Sequence, residues 1–468
     1  MKKIAIIGSG PAGLTAAYEI SKNNNFKCTV FEKSSYVGGM ARSFSLFDQI
    51  VDIGPHRFFS NDPRINKIWL EVVGNEYKMV NRTTRILYKN KFFNYPLKPL
   101  NALFNLGLFN TILCISSYFY YKVFPIKNLD TFESWVTNRF GKKLYDIFFK
   151  SYTEKLWGIS CDKLTSDFAK QRIKKFSLGE AILSALRFKK NNHKTLVDQF
   201  AYPLKGNGYV YEKMKDIVLK KNEILFNIDI ISIELDNRKY IINSKDSKQE
   251  FDYLISSMPI DNFFKLFNKS TPKLLDSINK LTFRNTIVVY IKIKQENLFI
   301  DQWLYVQDQS IQSGRITNFN NWIPEITNNN RGTLLALEYW CFENDNIWNN
   351  SNDETKIIAT NDLINCGFIR NENDIIDFEI VKVPKCYPVY KDDFKEYLNN
   401  IIEFSKNVEN LQLIGRYGSF KYNNQDHSIL MGYLAARNIL HNENNDIWDI
   451  NTDYEYHESS TITATGLI

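Results

Sequence analysis

No two cysteines of this 468-residue chain are spaced as C-x-x-C, and none of the six (Cys28, Cys114, Cys161, Cys341, Cys366, Cys386) has a histidine at ligand spacing. The sequence therefore predicts buried thiols in a reducing compartment, not a metal site or a disulfide framework. No long basic run is present either. The net charge of +7 is spread out, which suits anionic small ligands or an acidic membrane surface and argues against nucleic acid. The apolar run before Gly8 is too short for a signal peptide, so a cytoplasmic protein is expected. There is no internal repeat, no G-x-S-x-G elbow and no evident Ser-His-Asp constellation, so no side-chain nucleophile is predicted.

One absence points elsewhere. From Pro99 to Tyr121 there is no charged side chain. That length could cross a bilayer, but Asn101, Asn105, Asn110, Thr111, Ser116 and Ser117 are costly in hydrocarbon without partners. A buried or interfacial helix pair is expected, with peripheral membrane contact left open.

The length predicts two or three domains. Aromatic residues make up 15% of the chain, enough to line a large cleft with rings. The opening "KIAIIGSGPAGLTAAYEI" reads as a buried parallel strand, a glycine turn and an amphipathic helix. Gly8, Gly10 and Gly13 form G-x-G-x-x-G at the mouth of that helix, beside Pro11 and Ala12. Gly8 permits the tight turn, Gly10 leaves room for a pyrophosphate, and Gly13 lets helix and sheet pack closely. The second strand, "KCTVFEK", ends in Glu32 and Lys33, placing a carboxylate where ribose hydroxyls would lie. A dinucleotide site follows. Glu32 would repel the extra phosphate of NADP, and no second G-x-G-x-x-G occurs downstream. "EILFNIDIISIEL" and "FDYLISSMP" should supply further strands. "RNTIVVYIKIK", "TLLALEYW" and "FEIVKVP" look antiparallel.

The pair Gly38-Gly39 with Met40 and Arg42 in "GGMAR" resembles the signature of flavoproteins of the amine oxidase and glutathione reductase-like group. That resemblance implies FAD, with Arg42 near a phosphate. The implied fold class is α/β: a doubly wound, Rossmann-like FAD domain of the GR2 type, interrupted by a helical domain and an antiparallel-sheet substrate domain. The expected segments are 1–80, 205–262 and 405–468 for the first, 97–190 for the second, and 81–96, 191–204 and 263–404 for the third.

"DIGPHRFF", "SYTEKLWGIS" and "LIGRYGSFKYNNQDHSILMGYLAARNIL" resemble segments of UDP-galactopyranose mutases, in the same order along nearly the whole chain. The resemblance implies that His56 lies by the flavin and that Tyr152, Thr153 and Trp157 meet the nucleotide end of the substrate. Arg172 and Arg284 would grip its diphosphate, and Tyr387 and Tyr422 would line the sugar site. Gly415, Arg416, Gln425, Asp426 and His427 would close over the cofactor. The catalytic set so implied is His56, Arg172 and Arg284, and the activity is redox-neutral pyranose–furanose interconversion of a nucleotide sugar. "KYNNQDH" carries an extra polar residue, and the chain is longer in 80–130 and 300–375. Both departures also suit protoporphyrinogen oxidase-like or amine oxidoreductase relatives, which would oxidise a sugar, lipid-linked or apolar substrate. The expected partner is a small-molecule nucleotide sugar; self-association as a homodimer is left open.

Overall fold

The computed structural model describes residues 1–95, 97, 99–166, 169, 199–327, 331–391 and 393–451. Five parallel strands form one sheet in the order Leu411–Leu413, Tyr253–Ser256, Lys2–Ile7, Phe26–Phe31, Glu223–Leu225. Ile4 to Ile7 are buried without alternation, because helices or loops cover both faces of such a sheet. Helix Pro11–Ser21 starts on a proline, which forfeits no useful N–H at that position. It packs against the late helix Gln425–His441. At the crossing, a Cβ on Gly432 would fall 2.1 Å from the Ala12 carbonyl oxygen, so only glycine admits this approach.

"EILFNIDIISIEL" does not continue the parallel sheet as one piece. Glu223–Leu225 joins it, whereas Ile230–Asp236 opens an antiparallel meander with Lys239–Ser244 and Lys248–Phe251. The cause is local. Asn237 and Arg238 both take positive φ, 47° and 63°, the geometry of a two-residue hairpin turn.

The second sheet has seven strands: Ile375–Val389, Thr282–Ile293, Thr333–Cys341, Arg315–Asn318, Trp303–Val306, Thr84–Tyr88 and Lys91–Asn94 in spatial order. Trp303–Val306 runs parallel to Thr84–Tyr88, and the other neighbours are antiparallel. Helix Asn352–Asn365 covers one face through Ala359 and Leu363. Along the chain between Lys91–Asn94 and Gln199–Pro203 come the helices Pro99–Leu106, Leu108–Val123, Phe132–Phe140, Lys142–Tyr145 and Ser151–Trp157, which pack on one another and on the seven-stranded sheet. Of Leu108–Val123 only Thr111 and Cys114 are buried, so this helix pair is open, not internal. No helix among the described residues is long and apolar enough to cross a membrane.

Asp52 is completely buried and accepts hydrogen bonds from the Tyr202 hydroxyl at 2.7 Å, the Asn207 amide at 3.1 Å and the Ser43 hydroxyl. Burial pushes its carboxyl up to about 7, with the three donors acting the other way. A folded pKa above the unfolded value means the contribution is whole below pH ~4 and is lost as pH rises through about 7. Asp52→Asn should therefore flatten the pH dependence of urea unfolding. The parent should lose on the order of 4 kcal/mol relative to the variant between about pH 4 and 7.

Candidate active site

A cavity of about 680 Å³ connects the glycine loop with one face of the seven-stranded sheet. Gly8, Gly10, Pro11, Ala12, Glu32 and Lys33 line one end, and Trp303, Tyr305, Arg315, Tyr387 and Tyr422 line the other.

At the first end the residues fit a dinucleotide. A Cβ built on Gly10 meets nothing within 4 Å, so the space beside the loop is kept for something other than protein. Gly13 lies behind the loop, where its Cβ would sit 2.0 Å from the Gly8 carbonyl oxygen. The Glu32 carboxylate accepts from the amide and hydroxyl of Ser9 (2.8 and 2.7 Å) and of Ser34 (both 2.8 Å), which aims it into the cavity mouth. Lys33 beside it pairs with Asp229 at 3.2 Å in solvent. A second helix N-terminus enters from the opposite wall. Asn424 caps Gln425–His441, and His427 Nδ1 accepts from the Asn424 amide at 3.3 Å. Gln425 donates to Asn207 Oδ1 at 2.8 Å and accepts from the Tyr211 hydroxyl at 2.7 Å, pinning this helix start to helix Tyr209–Val218 and to the turn that precedes it. Two helix N-termini supply the amide donors that a pyrophosphate requires, and the Glu32 carboxylate is an acceptor for ribose hydroxyls.

The other end is built by one row across the sheet. Tyr305 pairs directly with Arg315, and Arg315 with Glu338, so the three side chains share a face. Arg315 donates from Nε to Glu338 Oε1 at 2.7 Å and from Nη2 to Oε2 at 2.5 Å. Burial opposes its charge, but the Glu338 carboxylate more than restores it and holds the guanidinium well above its ordinary pKa. Nη1 makes no hydrogen bond among the described residues. Arg416 is fixed by the Cys386 and Asn423 carbonyls at 2.7 and 2.9 Å. Its guanidinium carbon lies 4.6 and 4.4 Å from the rings of Tyr387 and Tyr422. His56 lines the same chamber, with Met40 and Gly39. Burial, reinforced by Arg315 and Arg416, lowers His56 to about 3, so its imidazole is neutral at physiological pH.

Gly39, Met40, His56, Gly415, Arg416, Gln425, Asp426, Tyr387 and Tyr422 thus border the cavity together with the loop residues. Other predicted residues do not. Arg42 is not a lining residue; its guanidinium stacks 3.8 Å above the Tyr36 ring. His427 serves the cap instead. Tyr152 stands one layer back, edge-on to Tyr305 and Trp340 at 5.4 and 5.5 Å, and Thr153 is buried. Trp157 is fully buried, stacked on Tyr390 and edge-on to Tyr422, so it supports a cavity wall from behind. Arg172 lies outside the described residues.

Arg284 is the main correction. It does not line the cavity. Its Nη2 donates to the Lys155 carbonyl at 3.0 Å and to the Trp340 carbonyl, and Nη1 faces Asp345 at 3.4 Å. Gly158, at φ +66°, folds the chain over it, where a Cβ would fall 2.2 Å from Nη1. Burial lowers this guanidinium to about 10, with Asp345 acting the other way. Arg284 thus ties helix Ser151–Trp157 to the sheet. Arg284→Ala should lower the unfolding free energy by about 2–4 kcal/mol in urea titration, because two carbonyls lose a charged donor. Two cavity arginines, Arg57 and Arg315, are absent from the predicted set; Arg57 directly follows the predicted His56, so the one that the motifs do not approach is Arg315. It has no motif around it, and only the two-residue alternation of Trp303–Val306 and Arg315–Asn318 could have flagged it.

The fold has known counterparts. A crystal structure of reduced UDP-galactopyranose mutase superposes with a TM-score of 0.80 at 21% identity, covering 95% of this chain and 97% of that one. The "Probable UDP-galactopyranose mutase" of Klebsiella pneumoniae is 22% identical over 282 residues, 56% of this chain and 62% of that protein. The protoporphyrinogen oxidase of Dictyostelium discoideum is 21% identical over 357 residues, 63% of this chain and 67% of that protein. The matches span no more than 67% of either of these curated relatives. The profile of the family "Flavin containing amine oxidoreductase" matches residues 11–440. The chain belongs to the flavin-containing amine oxidoreductase family, and its cofactor is FAD.

Proposed function

We propose that this enzyme acts on a nucleotide-activated sugar, interconverting its pyranose and furanose rings in surface-polysaccharide biosynthesis. The observation that carries the reading is the chamber where Arg315 and Arg416 face an aromatic box of Trp303, Tyr305, Tyr387 and Tyr422 beside the glycine-loop cavity. Two guanidiniums suit a phosphorylated ligand, and ring faces suit a sugar or a base. Bound FAD supplies the redox-active ring system for the reaction. The protein's own residues bind and orient. Arg315 Nη1 offers a charged donor to a phosphate oxygen, while Glu338 holds the guanidinium in plane. Charge that grows on a leaving diphosphate is stabilised at that site. Neutral His56 offers a hydrogen bond without adding repulsion between cations. The stacked rings of Tyr387 and Tyr422, 5.4 Å apart, exclude water.

The test is to incubate dithionite-reduced protein with UDP-, GDP- and dTDP-sugars and to analyse each product for ring size and mass. A product of changed ring size and unchanged mass supports the proposal. The second reading is an oxidase of a sugar, lipid-linked or apolar substrate. It is supported if the untreated, oxidised protein in air consumes oxygen and gives a product two hydrogens lighter from a sugar nucleotide or an added apolar substrate, while the reduced protein changes no ring size. The open apolar helix pair at 99–123 favours that alternative.

A further inference from the structure

Helix Leu108–Val123 and its neighbour Pro99–Leu106 turn large apolar side chains to solvent. Phe104 is 78% exposed, Leu108 72%, Phe109 74%, Phe119 59% and Val123 68%. A patch of this extent is uncommon on a free-standing surface and marks a contact. Its charge pattern is equally one-sided. Between Lys91 and Leu129 the chain has no Asp or Glu, and Lys91, Lys98, Lys122 and Lys127 are its only charged residues.

At the foot of the same helices lies a second cavity of about 270 Å³, lined by Lys89, Lys91 and Lys143 with Asn105, Asn110 and Tyr88, and by no carboxylate. Lys91 Nζ donates to the Asn105 carbonyl at 2.9 Å, and Lys89 Nζ stands 5.6 Å from the Tyr88 ring. None of the three lysines joins an ion pair among the described residues. Lys89 and Lys91 are exposed, and the Asp308 carboxylate accepts from the Lys89 amide at 3.0 Å; the three cations offer an anion a site of matching charge. The apolar residues, Tyr118 and Tyr120 belong to the helix pair, which lends Asn105, Leu106 and Asn110 to the cavity; its lysines come from the neighbouring hairpin, Lys89 and Lys91, and from helix Lys142–Tyr145.

We propose that this helix pair docks on an anionic phospholipid bilayer. Phe104, Leu108, Phe109, Phe119 and Val123 enter the acyl boundary, and the Lys89–Lys91–Lys143 cavity receives a lipid phosphate. The helices lie in the interface plane and do not span: 16 residues of helix reach about 24 Å, short of a hydrocarbon core of about 30 Å. A second copy of the chain is disfavoured as the occupant, because apposed patches would bring the two lysine clusters together.

The test is flotation of the full-length, FAD-loaded protein with vesicles of phosphatidylcholine alone or mixed with phosphatidylglycerol. The protein should float with the mixed vesicles, and added salt should weaken the binding. Phe109→Glu with Phe119→Glu, both on the open face, should abolish flotation while the flavin spectrum stays unchanged. Lys89→Ala with Lys143→Ala should cut affinity for the mixed vesicles about fivefold for each lysine removed. Failure to float with either vesicle overturns the proposal. So does a dimer in sedimentation that becomes a monomer on Phe109→Glu, which would assign the patch to a second copy. Equal binding to both vesicles overturns the role of the lysine cavity.

Discussion

Arg315→Ala is expected to keep the yellow cofactor and to weaken UDP-sugar binding by about 10- to 100-fold, the worth of one charge-assisted hydrogen bond. The single variant has a second effect. It leaves the Glu338 carboxylate, 2% exposed, without its counter-ion, and breaking one side of a buried pair costs about 3–5 kcal/mol. Arg315→Met combined with Glu338→Gln removes both charges at similar volume, so it should recover stability while still failing to bind the sugar nucleotide. Calorimetric titration of the double variant separates the two effects. Unchanged affinity in it would remove the diphosphate from this chamber and return the reading to a non-phosphorylated substrate.

Gly13→Ala is expected to raise the flavin dissociation constant a hundredfold or more, equivalent to about 3 kcal/mol. The added Cβ would fall 2.0 Å from the Gly8 carbonyl oxygen, which is backbone and cannot swing aside. The loop must open and its amides lose their aim. Gly10→Ala makes a useful contrast, because its Cβ projects into open space. That variant should unfold at the parent's urea midpoint when flavin-free, yet bind the cofactor poorly. Absorbance of the purified proteins and flavin titration read both outcomes.

The cofactor end was legible in the sequence because its parts are local. Gly8, Gly10 and Gly13 sit within one turn, and Glu32 lies at the end of the next strand, so spacing alone relates them. The chamber at the other end is assembled from Tyr305, Arg315, Tyr387 and Arg416, drawn from separate strands and a late turn. No local pattern marks an arginine as facing a cavity. Arg284 and Arg315 both begin or nearly begin β-strands, yet the fold closes Gly158 over the first and leaves Nη1 of the second open. Trp157 has the right residue type and order for a ligand platform but is spent on packing Tyr390 and Tyr422. Segment 99–121 could be recognised as uncharged, whereas its exposure depends on which neighbours happen to cover it.

The sheet that holds the nucleotide draws its strands from residues 2–7 and 411–413 alike, and Gly432 seals the first helix against Ala12. During synthesis the glycine loop therefore emerges hundreds of residues before its opposite wall exists. Cofactor loading is expected to wait until helix Gln425–His441 has left the ribosome, and a nascent chain arrested before that point should carry no flavin.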